Sequence, residues 1–156
     1  MKAWVAAAAL GLAWGLALCG GGAAAAAQKG SRAEAVAMVK RAVAMVKAQG
    51  RDKAFAAISD PANTDFHDRD LYVYVYDFNG KVLAHGNNPQ MVGTPRIALK
   101  DMEGKFMIQE MITLAKTRGG GWISYKWPNP VTKTVELKEG YIERVDDFLI
   151  GSGAYR

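Results

Sequence analysis

The stretch LYVYVYDFNGKVLAHG, Leu71 to Gly86, decides the fold. Leu71, Val73 and Val75 alternate with Tyr72, Tyr74 and Tyr76, and successive side chains of a strand point to opposite faces of its sheet. One face is therefore aliphatic and the other is a row of phenols. A strand with one wet face alternates apolar with polar residues. Here both faces suit burial, so the strand is expected in a sheet that is covered on two sides. Asp77-Phe78-Asn79-Gly80 supplies a turn, with Asp at its first position and Gly where φ is positive. The chain then returns as a second strand, broken at Asn87-Asn88-Pro89. The register stays open at this point. A two-residue Asn-Gly loop places His85 on the face of Tyr74 and Tyr76, whereas a three-residue bulged loop moves it to the valine face.

Upstream, SRAEAVAMVKRAVAMVKAQG reads as a long helix. Ser31 and Glu34 have the spacing of a capping box. Val36, Val39, Val43 and Val46 step by three and four, with Met38, Ala42 and Met45 beside them, and Gly50 is placed to end the helix. AVAMVK occurs twice, one heptad apart. The stripe can pack on the chain's own sheet or form a coiled-coil seam in a homodimer. RDKAFAAISD reads as a short second helix and PANTDFHDRD as a polar loop. Downstream come a helix near Lys105 to Lys116, closed by three glycines, and three further strands, in GWISYKWPNP, TKTVELKEGYIERV and DFLIGSGAYR. Five strands joined mostly as hairpins exclude a doubly wound parallel sheet. The expected class is α+β, with the long helix on one face of a five-stranded antiparallel sheet.

The first 27 residues have a different character. Lys2 precedes an apolar run from Ala3 to Leu18 and a small-residue region ending at Ala25-Ala26-Ala27. This is the layout of a signal peptide cleaved after Ala27, which leaves one domain over residues 28–156 in the periplasm or outside the cell. An uncleaved anchor is the alternative; the run is short for a spanning helix of about 20 residues. Cys19, the only cysteine, lies in LALC, which resembles a lipobox except that Leu18 stands where a small residue is preferred. Lipidation there competes with loss of Cys19 along with the signal. The formal charge of +5 drops to +4 without Lys2. It is thinly spread, with no basic stripe interleaved by aromatics, and nucleic-acid binding is not expected.

The ordered set YVYVYDFNGKVLAHGNNPQMVG, LKDMEGKFMIQEM, GGGWISYKWPNP, LKEGYIER and LIGSGAY resembles the single Cache domains of bacterial extracytoplasmic sensors. The resemblance implies a PAS-like sheet with a small-molecule pocket opposite the long helix. It also implies sensing of small organic molecules, often short carboxylates, without catalysis or cofactor. This sequence has AHG where the family typically has AHP. Family members usually sit between two membrane helices, ahead of a signalling module. Ending at Arg156, this chain is expected to act through a partner such as a membrane receptor or kinase. The alternative is a structural or adaptor protein of the envelope whose pocket has collapsed into core.

Phenols on a buried face suit a pocket that packs a ligand's carbons and hydrogen-bonds its polar end; the alternative is packing alone. Tyr74 and Tyr76 are the first candidates. Trp122, Tyr125 and Trp127 share one strand and can wall such a pocket, with Tyr125 and Trp127 on one face. The resemblance places a lysine three residues before a tyrosine, here Lys138 and Tyr141. Lys138 can pair with a carboxylate as a point charge, or it can protect an edge strand. Arg96 can grip a carboxylate in two places, or it is a solvated loop arginine. His85 depends on the register. Asp65, His67, Asp68 and Asp70 offer oxygen and nitrogen donors without a recognised metal spacing, and are read as a solvated acidic loop. With two histidines in the chain and no base–nucleophile motif, enzyme chemistry is not expected.

Overall fold

The computed structural model describes residues 28–156. The signal segment expected at 1–27, including Cys19, lies outside the described residues.

The long helix α1 (Arg32–Gln49) begins at the expected capping box. The Ser31 side chain accepts from the Glu34 N–H, and the Glu34 carboxylate accepts from the Ser31 N–H. These bonds, with Arg69 beside it, pull the Glu34 carboxyl down to about 2. Gly50, at φ 84°, ends α1 and leads directly into α2 (Arg51–Ile58). What reads as one polar loop is then partly ordered. His67–Asp68 (β1) pairs with Leu71–Tyr72 (β2), and Phe66 and Asp70 are buried. The loop reading is corrected because Phe66 joins the aliphatic core and the Asp70 carboxylate accepts the Gly30 N–H at 2.7 Å. Asn63 and Asp70 hold backbone, while Thr64, Asp65 and Asp68 remain exposed.

The main sheet contains β3 (Tyr74–Asp77), β4 (Val82–His85), β5 (Gly120–Pro128), β6 (Val135–Val145) and β7 (Phe148–Tyr155), in the order β4-β3-β7-β6-β5 and antiparallel throughout. The α+β architecture read from the sequence is the one observed. Central β7 is buried along its whole length. Helix α1 crosses one face, where Ala35, Met38, Val39, Ala42 and Val43 meet Val73, Val75, Phe148 and Ile150 in an aliphatic core. The valine stripe therefore packs on its own sheet. Helix α3 (Met107–Arg118) and the loop before it cover the opposite face.

The hairpin resolves its register in two steps. Asp77 and Lys81 close a three-residue loop, with Gly80 at φ 79° and the Asp77 carboxylate accepting from the Asn79 and Lys81 N–H groups. That loop alone would send His85 to the valine face. A second irregularity intervenes: Tyr76 pairs with Val82 but Val75 with Ala84, so Leu83 is an extra residue. Tyr74 consequently faces His85, and the histidine returns to the tyrosine face.

Candidate functional site

The tyrosine face is closed by α3. Tyr72, Tyr74, Tyr76, His85 and Tyr125 meet Met107, Ile108, Met111 and Trp127 around a chamber with only about 20 Å³ open to water centres. One water needs roughly 10–15 Å³ by the same measure, so the chamber holds one small molecule at most. Small residues in the sheet make this space. A Cβ at Gly151 would come within 2.4 Å of the Tyr74 ring, and one at Gly140 within 2.8 Å of the Tyr74 hydroxyl. The rings of Tyr74 and Tyr125 sit where those side chains would be.

Lys138 lies beneath the chamber. It points inward from β6, between β5 and β7, opposite Tyr125 and Tyr155. It is fully buried. Its Nζ donates to Tyr155 Oη at 3.3 Å and lies 3.6 Å from the Tyr72 ring centroid, 4.6 Å from that of Tyr155 and 5.9 Å from that of Tyr74. Among the described residues no carboxylate forms a salt bridge with it. Asp70 is the one acid whose charge acts on Lys138, and its oxygens are occupied by the Gly30 N–H and Asn129 Nδ2. Desolvating an ammonium costs several kcal/mol after relaxation. Ring faces return about 2 kcal/mol when dry. Desolvation wins, and Lys138 is held well below the usual lysine range.

Burial also raises the phenols. Tyr72 moves up to about 12, and Tyr74, Tyr76 and Tyr125 rise for the same reason, so all four are neutral donors at physiological pH. Their mutual bonds are long: Tyr125 Oη to Tyr74 Oη is 3.4 Å, and Tyr72 Oη to Tyr155 Oη is 3.4 Å. Hydroxyl pairs prefer about 2.7–2.8 Å, so these groups keep bonding capacity for a guest. His85 stacks on Tyr72 with centroids 5.1 Å apart and accepts the Asn88 N–H on Nδ1 at 3.0 Å. That bond places the imidazole proton on Nε2. Burial first, then the Lys138 charge, lowers His85 to about 4, so the ring is neutral. Tyr72, His85 and Trp127 also wall an open depression of about 330 Å³ with Asn87, Asn88, Asn129 and Lys133. These three side chains stand between the depression and the chamber.

Of the residues singled out in the sequence, Tyr74, Tyr76, His85, Tyr125 and Lys138 converge here. Arg96 does not line the chamber. Its guanidinium Nε donates to Thr94 Oγ1, although its charge is felt at Tyr76. Trp122 and Tyr141 are corrected outright. They are partners across β5 and β6 on the α1 face, with rings 5.2 Å apart and the Arg32 guanidinium 3.9 Å over Trp122. Tyr141 donates to Glu143. The reason is parity. Lys138 and Tyr141, like Trp122 and Tyr125, are three residues apart in a strand, which puts them on opposite faces.

Trp127, read from the sequence as a wall beside Tyr125, does line the chamber, while Tyr72, Tyr155, Asp70 and the α3 residues Met107, Ile108 and Met111 are missing from the sequence-derived set. The same parity could have found Tyr155, two steps beyond Gly151 and Gly153 on one face of β7. The α3 wall follows only from how the helix docks. Asp65, His67, Asp68 and Asp70 do not converge, and among the described residues no group of three or more His, Cys, Asp or Glu side chains is arranged to hold a metal ion.

A sheet covered by a long helix on one side and closing a small chamber on the other defines a PAS-like sensor domain. Residues 23–156 match the family model for single Cache domain 2, and the chain belongs to that family. Over 91 residues, 57% of the chain, it is 31% identical to the methyl-accepting chemotaxis protein McpP of Pseudomonas putida, spanning 17% of that protein. Over 89 residues, 56% of the chain, it is 33% identical to the sensor histidine kinase MctS of Rhizobium johnstonii, spanning 19% of it. The matched part is thus less than a fifth of either relative. Among solved structures, a methyl-accepting chemotaxis protein from Vibrio parahaemolyticus shares the fold with a TM-score of 0.67 at 24% identity, over 79% of this chain and 86% of that one. A Cache chemosensory domain studied for carboxylic acid recognition gives 0.61 at 22% identity, over 76% and 83%. No described helix is long and apolar enough to cross a membrane.

Proposed function

We propose that this domain binds a short organic acid in the tyrosine chamber and reports its presence, from outside the cytoplasm, to a membrane chemoreceptor or sensor kinase. The observation that carries the reading is Lys138, a fully buried amine with no carboxylate partner among the described residues. Proteins seldom bury a lysine without a counter-charge. A ligand carboxylate would supply it, with the hydroxyls of Tyr74, Tyr76 and Tyr125 and His85 Nε2 as donors for its oxygens. Binding alone, without catalysis, is what these groups support. The relationship to a chemotaxis receptor and a sensor kinase supports the signalling partner. The neighbour studied for carboxylic acid recognition supports the ligand class.

A chamber of about 20 Å³ requires the ligand to be short and the wall of Tyr72, His85 and Trp127 to move. The same small volume favours a second reading, an envelope adaptor whose pocket has collapsed into core. Thermal unfolding of the purified chain, screened against formate, acetate, propionate and lactate, separates the two. At a hundred times Kd a true ligand adds about 2.7 kcal/mol. Lys138→Met should abolish the shift while leaving the free protein about as stable, since the long apolar side chain fills the same space and the lost amine has no carboxylate partner among the described residues. No shift with any acid, under conditions where the chain is folded, would establish the adaptor reading.

The location and the soluble form belong to the same proposal. The intact mass of the natively expressed protein should correspond to a start near Gln28. Retention of Met1, or a lipidated start at Cys19, would replace the soluble form with an anchored one. Size-exclusion chromatography with light scattering decides whether a homodimer forms.

A further inference from the structure

We infer that acid binding in the chamber is coupled to the uptake of one proton by Lys138, so that the site takes in a carboxylate and a proton together. This rests on the acid-binding reading above. The geometry behind it is the isolation of Nζ. Every group facing it can be named. From β7 comes the Tyr155 hydroxyl, from β5 Tyr125, from β2 and β3 the rings of Tyr72 and Tyr74, and from β4 the His85 imidazole. Asp70 acts from the β1–β2 turn, already bonded to Gly30 and Asn129. Helix α3 contributes only Met107, Ile108 and Met111 to the chamber wall.

All the nearby phenols are neutral, the imidazole is neutral, and the one acid forms no salt bridge to the amine. An ammonium in the empty chamber would therefore stand in a dry space without compensation, and the amine gives up its proton. A carboxylate placed against Nζ reverses the balance, because the opposite charge favours the charged form. The complete event is a neutral amine, a carboxylate anion and a proton from solvent combining into a buried ammonium–carboxylate pair. Net charge inside the protein does not change. By linkage, apparent affinity falls tenfold for each pH unit between the ionisation of Lys138 in the free protein and its higher value in the complex. The bound form is thus favoured by acidity even though the ligand itself binds as its anion.

Titration calorimetry of the purified chain with acetate and propionate at pH 8, in phosphate and in Tris, counts the protons. About one proton taken up per ligand is expected, together with an affinity that falls as the pH rises. The His85→Asn variant, titrated at concentrations high enough to offset any weaker binding, should still take up about one proton per acid bound. Ligand binding with no buffer dependence overturns the coupling and leaves the acid-binding reading intact. Loss of the uptake in His85→Asn moves the proton to the imidazole and overturns the assignment to Lys138. Failure of both acids to bind removes the acid-binding reading instead. In that event Lys138 ionisation is still read directly, by NMR of the ligand-free chain labelled at the lysine side chains. A Lys138 amine already neutral at pH 8 is expected, and an ammonium persisting above pH 9 sinks the proposal.

Discussion

The two faces of this one sheet are built from opposite materials. Against α1, Val73, Val75, Phe148 and Ile150 meet Met38, Val39 and Val43, and the polar exception is the buried Ser152 hydroxyl, which donates to Met38 Sδ at 3.8 Å. Against α3, the same strands present Tyr72, Tyr74 and Tyr76, and a fully buried lysine lies beneath them. Strand β3 carries both kinds, residue by residue. Burying a Val or Ile side chain gains about 1.5–3 kcal/mol, whereas the Tyr74–Tyr125 and Tyr72–Tyr155 hydroxyls of the other face are paired at 3.4 Å, longer than hydroxyl pairs prefer, and return little for their desolvation. The first face therefore holds the domain together. The second weakens it locally and keeps donors in a place where only a guest can use them. Separating the tasks by face lets the binding side vary in chemistry without dissolving the core.

That division can be broken by measurement. The largest effect expected belongs to the dry face. Ile150→Ala removes a fully buried side chain and should cost about 2–5 kcal/mol in urea unfolding; a loss below about 1 kcal/mol would mean that the α1 face is not the stabilising one. Next comes acid sensitivity of the wet face. His85 is lowered from 6.5 to about 4 by burial, so between those values the unfolded chain binds the proton more readily and stability falls as pH drops. By pH 4.5 the His85 share of the loss should reach roughly 2–3 kcal/mol, and His85→Asn should remove that share, leaving the slope that the lowered Lys138 contributes. Glu34 and Glu136, both held near 2, titrate below that range, and an unchanged slope in the variant would acquit His85. Val43→Ala, at the rim of the α1 contact, should cost about 1–2 kcal/mol, and its unfolding midpoint should not depend on protein concentration. A concentration dependence would turn the stripe into an intermolecular seam. The smallest effect sharpens the contrast most. The Tyr76 hydroxyl has no hydrogen-bond partner among the described residues, so Tyr76→Phe should change stability by less than about 0.5 kcal/mol. Acid binding should nonetheless weaken severalfold. Equal affinity in the variant would leave the tyrosine row as packing alone.

Most of the fold was legible because its signals are local. A capping box, a stripe stepping by three and four, and an alternation of two each report their element without reference to the rest of the chain. Half of the candidate site was legible for the same reason: Tyr74, Tyr76 and Tyr125 share faces by parity alone. Tyr141 was misplaced when a family spacing was followed against that parity, and Trp122 when it was grouped with Tyr125 as aromatics of one strand. Asp70 was hidden in a polar run because its burial depends on Gly30, forty positions away. Met107, Ile108 and Met111 form the chamber wall through the docking angle of α3, and no short window of sequence carries that angle.

The extra residue at Leu83 has a consequence best put in the language of reading frames. The three-residue turn shifts the second strand by one position, and Leu83 shifts it back. The two irregularities behave like an insertion and its suppressor: each alone scrambles everything downstream, and together they restore sense. Trimming the turn by one residue or deleting Leu83 would each carry His85 through the sheet to the other side, while doing both would leave it where it stands. A residue far less conspicuous than any tyrosine thus decides on which side of the protein the only buried imidazole among the described residues is found.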